Sequence, residues 1–158
     1  MKTLILKDFT LAICYNIGGV NIVEITKGRG YVYALRYHIV FCTKYRHKII
    51  VGRFEEWLKS MFSNIADANG FKIITMEVRP DHVHLLIDCT PQHYIPNIIK
   101  ALKGNSARFG FKRFPELKTK LWGGHLWNPA YFVCSISDET EQIIIDYINS
   151  QKEGEPKP

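Results

Sequence analysis

His82 and His84 flank one apolar residue in the run Asp81-His82-Val83-His84-Leu85-Leu86-Ile87-Asp88. Side chains in a strand alternate between faces, so both imidazoles point to one side while Val83, Leu85 and Ile87 pack on the other. Two imidazoles on one strand face can converge on a divalent ion, yet two ligands leave such a site incomplete. A chain with six histidines reaches this spacing readily by composition alone, and two hydrogen-bonded strand histidines would read the same way. Tyr147 and Gln151 form a second group, four apart in a helical segment and therefore neighbours on one face. Beside Ile143, Ile144 and Ile148, Tyr147 equally suits a half-buried core position. If that helix lies across the sheet end, Gln151 joins His82 and His84 around one cation, positions stay open for phosphate oxygens, and Tyr147 stands one turn away as a nucleophile. Those parts match phosphodiester cleavage in which the phosphate is retained as a covalent tyrosine ester.

The elements that must position these groups follow from apolar periodicity. Tyr33 to Tyr45 reads as a long strand with Leu35, Tyr37, Ile39 and Phe41 on one side, ending in a basic loop of Lys44, Arg46, His47 and Lys48. Phe54, Trp57, Leu58, Met61, Phe62 and Ile65 fall at helical spacing, and Asn69-Gly70 supplies a stop. Phe71 to Arg79 and His82 to Cys89 are strands joined tightly through Pro80-Asp81, with the histidines at the start of the second arm. A second helix begins near Pro96, carrying Ile95, Ile98, Ile99 and Leu102 inward and Lys100, Lys103 and Arg108 outward. Two short strands, about Leu121 to Trp127 and Ala130 to Ser135, precede a third helix opened by Asp138 with Glu141 three residues later and ended by Gly154, Pro156 and Pro158. The order predicts an α+β fold, a ferredoxin-like (RRM-like) antiparallel sheet covered by helices, with the tyrosine on a C-terminal helix. Ahead of it, alternation around Gly18-Gly19 suggests a weak hairpin and Lys27-Gly28-Arg29-Gly30 a linker, so residues 1–32 form an N-terminal extension, 33–153 the domain and 154–158 a tail.

At 158 residues one domain can bury roughly two thirds of its unfolded surface without a disulfide or metal staple. Cys14, Cys42, Cys89 and Cys134 are scattered, which excludes the usual zinc-ribbon spacing and gives no secreted disulfide framework, so a reduced cytoplasmic setting is expected. Apolar runs fall far short of the roughly 20 residues that span a bilayer, and no membrane role is indicated. A formal charge of +6, a pI near 9.1 and 13% aromatics point to nucleic acid as the anionic partner. Lys44, Arg46, Lys48, Lys100, Lys103 and Arg108 are the candidate phosphate contacts, against the ordinary alternative of a solvated charged face. Trp122, Trp127 and Tyr131 either stack on unpaired bases or fill the core, and His125 beside Gly123-Gly124 reads as an exposed loop residue.

Taken together, Tyr37-His38-Ile39-Val40-Phe41-Cys42-Thr43-Lys44-Tyr45-Arg46, Pro80-Asp81-His82-Val83-His84-Leu85-Leu86, Leu102-Lys103-Gly104, Leu126-Trp127 with Tyr131-Phe132-Val133, and Tyr147-Ile148 with Gln151 resemble one family. It is the single-tyrosine, histidine-hydrophobe-histidine (HUH) transposases of the insertion-sequence two-hundred/six-hundred-five group, matched from about Leu35 to Lys152. The resemblance implies that His82, His84 and Gln151 are metal ligands for Mg²⁺ or Mn²⁺. It implies Tyr147 as the nucleophile that attacks single-stranded DNA to give a 5′-phosphotyrosine and a free 3′-OH, with element ends recognised as folded hairpins. It further implies a homodimer in which the tyrosine helix of one subunit completes the site of the other. About thirty residues precede the match, more than the short lead expected. The alternatives are a non-catalytic or domesticated single-strand nucleic-acid binder and an HUH nickase for replication or plasmid transfer.

Overall fold

In the computed structural model, residues 2–5, 11–16, 19–24, 26–28 and 31–136 are described. At the N-terminal side, β1 (Lys2–Ile5), β2 (Leu11–Asn16) and β3 (Gly19–Glu24) pair antiparallel in that order, with Asn16 opposite Gly19. β4 (Thr26–Gly28) pairs with β5 (Tyr31–Tyr33), so Lys27 and Gly28 are strand residues rather than linker.

Four strands then build the sheet that carries the histidines: β6 (Arg36–Cys42), β7 (Lys72–Val78), β8 (His82–Asp88) and β9 (Phe132–Ile136), all antiparallel in the order β7-β8-β6-β9. α1 (Arg53–Asn69) connects β6 to β7, and α2 (Ile95–Arg113) leads from β8 toward β9 through the short α3 (Leu117–Lys120). Two interleaved β-α-β units around a central β8-β6 pair make the ferredoxin-like α+β plan expected from the element order.

Period-2 and period-3.6 patterns meet in one core. Ile39 and Phe41 of β6 and Val83, Leu85 and Ile87 of β8 point to the same side, where Phe54, Leu58, Phe62 and Ile65 of α1 and Ile98, Ile99 and Leu102 of α2 bury their apolar stripes. α1 stops at Gly70, whose φ of 73° is left-handed and whose N–H reaches the Ala66 and Asp67 carbonyls. Pro96 occupies the first turn of α2, where its missing N–H costs nothing. Gly110 lets the helices close: a Cβ there would lie 3.3 Å from the Phe54 ring and 3.4 Å from that of Trp57.

One expected strand does not form. Leu121 to Trp127 is instead a 3-10 turn at Trp122–Gly124 followed by an irregular segment, because Gly123 (φ 70°) and Gly124 (φ 67°) are left-handed and turn the chain. Trp127 makes a bridge to Thr43. The second expected strand is present as β9, and the third helix opened by Asp138 lies outside the described residues. Among the described residues no helix is long and apolar enough to cross a membrane.

Candidate active site

His82 and His84 stand on the sheet face turned away from the core. Their cross-strand partners on β6 are Cys42 and Val40, and Glu77 of β7 faces His84 from the other side. The two rings meet edge to face with centroids 5.1 Å apart, and both line a cleft of about 410 Å³ walled by Val40, Cys42, Arg46, Asn128, Tyr131 and Phe132.

The hairpin that presents them is fastened by backbone. Arg79 N–H donates to the His82 carbonyl at 2.8 Å, Ile50 N–H to Pro80 at 2.9 Å and Thr43 N–H to Asp81 at 2.8 Å. The fully buried Thr43 hydroxyl shares its proton between the His47 carbonyl (2.8 Å) and that of Asp81 (3.2 Å). The basic loop and the histidine hairpin are therefore one fixture. Within that loop Tyr45 (φ 56°) and Arg46 (φ 55°) are consecutive left-handed residues, each costing about 1–2 kcal/mol for a side chain with a Cβ. Arg46 Nε donates to Asp81 Oδ2 at 3.0 Å, tying the strained turn to the histidine strand.

Both histidines have their Nδ1 atoms engaged. His82 Nδ1 lies 2.5 Å from Asp81 Oδ1, and His84 Nδ1 lies 3.1 Å from Nε2 of His38, whose ring is nearly parallel to it with centroids 5.3 Å apart. Burial raises the Asp81 carboxyl, but the His82 hydrogen bond and charge together with Arg46 outweigh it and hold it below its usual value. Burial, then the charges of His82, His38 and Arg79, lower His84 to about 4, and burial lowers His38. At neutral pH His84 is thus an uncharged imidazole, the form that ligates a metal. His38 was not singled out by sequence, although its parity opposite Tyr37 and Ile39 places it on this face. Its approach to His84 is a diagonal across the β6-β8 register, in which His38 faces Leu86.

The His84 shift carries a stability consequence for metal-free protein. A folded-state value near 4 lies below the unfolded value near 6.5, so the cost is absent above pH 6.5 and grows as pH falls toward 4, where the unfolded chain takes a proton the folded one refuses. The full loss is at most about 3 kcal/mol. Urea midpoints followed from pH 7.5 to 4.5 should fall more steeply for the wild type than for His84→Gln; equal slopes would disprove the assignment.

The other expected contacts separate. Lys44, Arg46 and Lys48 sit together in the loop beside the cleft, with Arg46 lining it and Lys44 Nζ 4.9 Å from the Tyr45 ring. Lys100 and Arg108 are exposed on α2 and do not line the cleft; Arg108 lies over Phe109. Lys103 does not face outward: its ammonium donates to the carbonyls of Asn128 (2.8 Å), Pro129 (3.1 Å) and Ala130 (2.8 Å), bracing the cleft wall. Trp127 is core, edge-on to Phe41 at 4.9 Å with Nε1 donating to Ser106 Oγ at 2.9 Å, whereas Tyr131 and Phe132 are exposed at the cleft. The Trp122 side chain, Tyr147 and Gln151 lie outside what is described. Among the described residues no three His, Cys, Asp or Glu groups gather as a metal site, so the pair needs a further donor. The donor chemistry still fits a divalent ion: two imidazoles side by side, each with its Nδ1 already held by a neighbour.

Residues 31–151 match the family described as "Transposase IS200 like". The chain is 54% identical over 132 residues to the ISDra2 transposase TnpA of Deinococcus radiodurans, covering 84% of this chain and 94% of that one. It is 30% identical over 118 residues to the transposase for insertion sequence element IS200 of Salmonella typhimurium, covering 75% and 77%. Among solved structures, a transposase from Deinococcus radiodurans R1 superposes with a TM-score of 0.68 at 51% identity, over 80% of this chain and 97% of that one. A REP-associated tyrosine transposase bound to a REP hairpin superposes with a TM-score of 0.59 at 16% identity, over 82% and 74%, a likeness of fold.

Proposed function

The chain belongs to the IS200-like transposase family and so serves DNA transposition, and from that premise we propose that it cleaves and rejoins single-stranded DNA at hairpin-bearing element ends through Tyr147. The observation that carries this reading is the His82/His84 pair, orientationally held on an open sheet face beside Arg46. The reading takes residues 33–153 as the catalytic unit.

His82, His84 and Gln151 would hold Mg²⁺ or Mn²⁺, which when bound supplies polarisation of the scissile phosphate and neutralises charge developing on it. The protein's own groups do the rest. Arg46, with Lys44 and Lys48 behind it, holds the strand's phosphates against the cleft, and the exposed faces of Tyr131 and Phe132 take unpaired bases. Tyr147 Oη attacks phosphorus as the bond from phosphorus to the 3′-oxygen breaks. The phenolic proton is given up, the departing oxygen leaves as a 3′-OH, and a 5′-phosphotyrosine remains. Attack by a 3′-OH on that ester reverses the step and releases the tyrosine, so the bond energy is conserved through the cycle. The hairpin carried by the structurally similar REP-associated transposase supports hairpin recognition here. A homodimer with each Tyr147 helix serving its partner's histidines completes the proposal.

Single-stranded oligonucleotides of the DNA flanking the gene, chosen for imperfect palindromes and incubated with protein and Mg²⁺ or Mn²⁺, should yield a denaturation-resistant protein–DNA adduct and a shortened strand with a 3′-OH. Cleavage of duplex but not of single strands would refute the proposal. Binding without any covalent product would identify a non-catalytic single-strand binder instead.

A further inference from the structure

Imidazole can ligate through either nitrogen, and the choice is set by what holds the other one. On β8 both choices are made by neighbours outside the proposed ligand set. His82 Nδ1 is held at 2.5 Å by the carboxylate of Asp81, the residue before it in the hairpin turn. His84 Nδ1 is held at 3.1 Å by Nε2 of His38, on the adjacent strand. We propose that Asp81 and His38 are positioning residues that commit both metal histidines to ligation through Nε2; this rests on the metal-site reading given above.

The proton placement follows from chemistry. Asp81 as a carboxylate only accepts, so His82 carries its proton on Nδ1. Between His38 and His84 one nitrogen donates and the other accepts. His84 can offer Nε2 to a metal only with its proton on Nδ1, which makes His84 the donor, His38 Nε2 the acceptor, and places the proton of His38 on its own Nδ1. The nearly parallel rings, 15° apart, are buried with 8% exposure each, which resists a ring flip that would take His84 Nδ1 away from His38. Asp81 also acts beyond His82, because its Oδ2 takes Arg46 Nε, so the group that orients His82 orients the arginine on the cleft wall as well. A turn of two left-handed residues is held in place by the same carboxylate.

The test reads tautomers and metal affinity rather than turnover. In ¹⁵N-histidine-labelled, metal-free protein at pH 7.5, two-bond ¹⁵N–¹H correlation spectra should show His82 and His84 protonated at Nδ1, and titration with Mn²⁺ followed by electron paramagnetic resonance of the free ion gives the dissociation constant. His38→Leu and Asp81→Ala should each weaken Mn²⁺ binding by about 10-fold or more, and His38→Leu should mix the His84 tautomers. His38→Gln, whose amide oxygen can replace the accepting nitrogen, should restore both. A wild-type His84 protonated at Nε2 overturns the proposal without any variant, as does His38→Leu with unchanged tautomer and Mn²⁺ affinity. His84→Ala separates the two levels. Full Mn²⁺ affinity in His84→Ala sinks the metal site itself, whereas loss there with none in His38→Leu sinks only the positioning role.

Discussion

Tyr147→Phe is expected to eliminate the covalent protein–DNA adduct while leaving binding of a terminal hairpin intact. The substitution removes one oxygen, the atom proposed to form the bond to phosphorus, and keeps the aromatic ring. A nucleophile has no partial substitute of that kind: removal of one from a hydrolytic site costs about 10⁶-fold in turnover, so strand transfer should drop below detection. Gel separation of labelled oligonucleotide under denaturing conditions reads the adduct, and a mobility shift without denaturant reads binding. An adduct of normal yield in Tyr147→Phe would transfer the role to another residue. Mixing Tyr147→Phe with His82→Ala adds a second reading from the same assay: in a homodimer whose sites are completed in trans, a mixed dimer recovers one working site, whereas sites built within one chain recover none.

The sheet was legible because its strands have one solvent-side and one core-side row. Ile39, Phe41, Val83, Leu85 and Ile87 announce the buried row by alternation, and the Pro80-Asp81 joint leaves no room for anything but a hairpin. α1 was equally plain, with a wide apolar stripe and a glycine stop. The failure at Leu121 to Trp127 has a local cause. Leu121, Leu126 and Trp127 are all buried and look like a strand's apolar positions, but Gly123 and Gly124 take φ values that break the alternation, and burial is reached through a turn.

The site was half legible for a different reason. Residues two apart on one strand reveal their shared face without any knowledge of the partner strands, so His82 and His84 were readable. His38 was not, because its approach to His84 depends on the β6-β8 register across 46 residues of sequence. Lys103 shows the opposite limit. Helical periodicity put it on the outer side of α2, and its half-buried position instead lets four methylenes carry the ammonium to three carbonyls of the 128–130 segment, crossing the rings of Phe41 and Tyr131 on the way. A cation with an apolar stem is read poorly by any pattern that scores it as simply polar.

His82→Ala is expected to lower metal-dependent cleavage of single-stranded ends by about 10³-fold, corresponding to about 4 kcal/mol of transition-state stabilisation from one correctly held ion. The fold should survive the change. His82 is partly exposed on the face away from Val83, Leu85 and Ile87, its backbone carbonyl keeps the Arg79 N–H, and the Asp81 carboxylate it leaves behind still has Arg46. The more telling measurement is the pair. If His82 and His84 serve one ion, removing either already disables it, so the double alanine variant should cleave about as slowly as either single one. If they act separately, one on the metal and one on a proton, the losses multiply and the double variant falls far below both. Initial rates of strand cleavage at saturating Mn²⁺ and at a tenth of that concentration distinguish the cases, since an ion-binding defect is partly repaired by more ion and a proton-transfer defect is not. Multiplying losses that added Mn²⁺ leaves untouched would remove the shared-ion role from this strand.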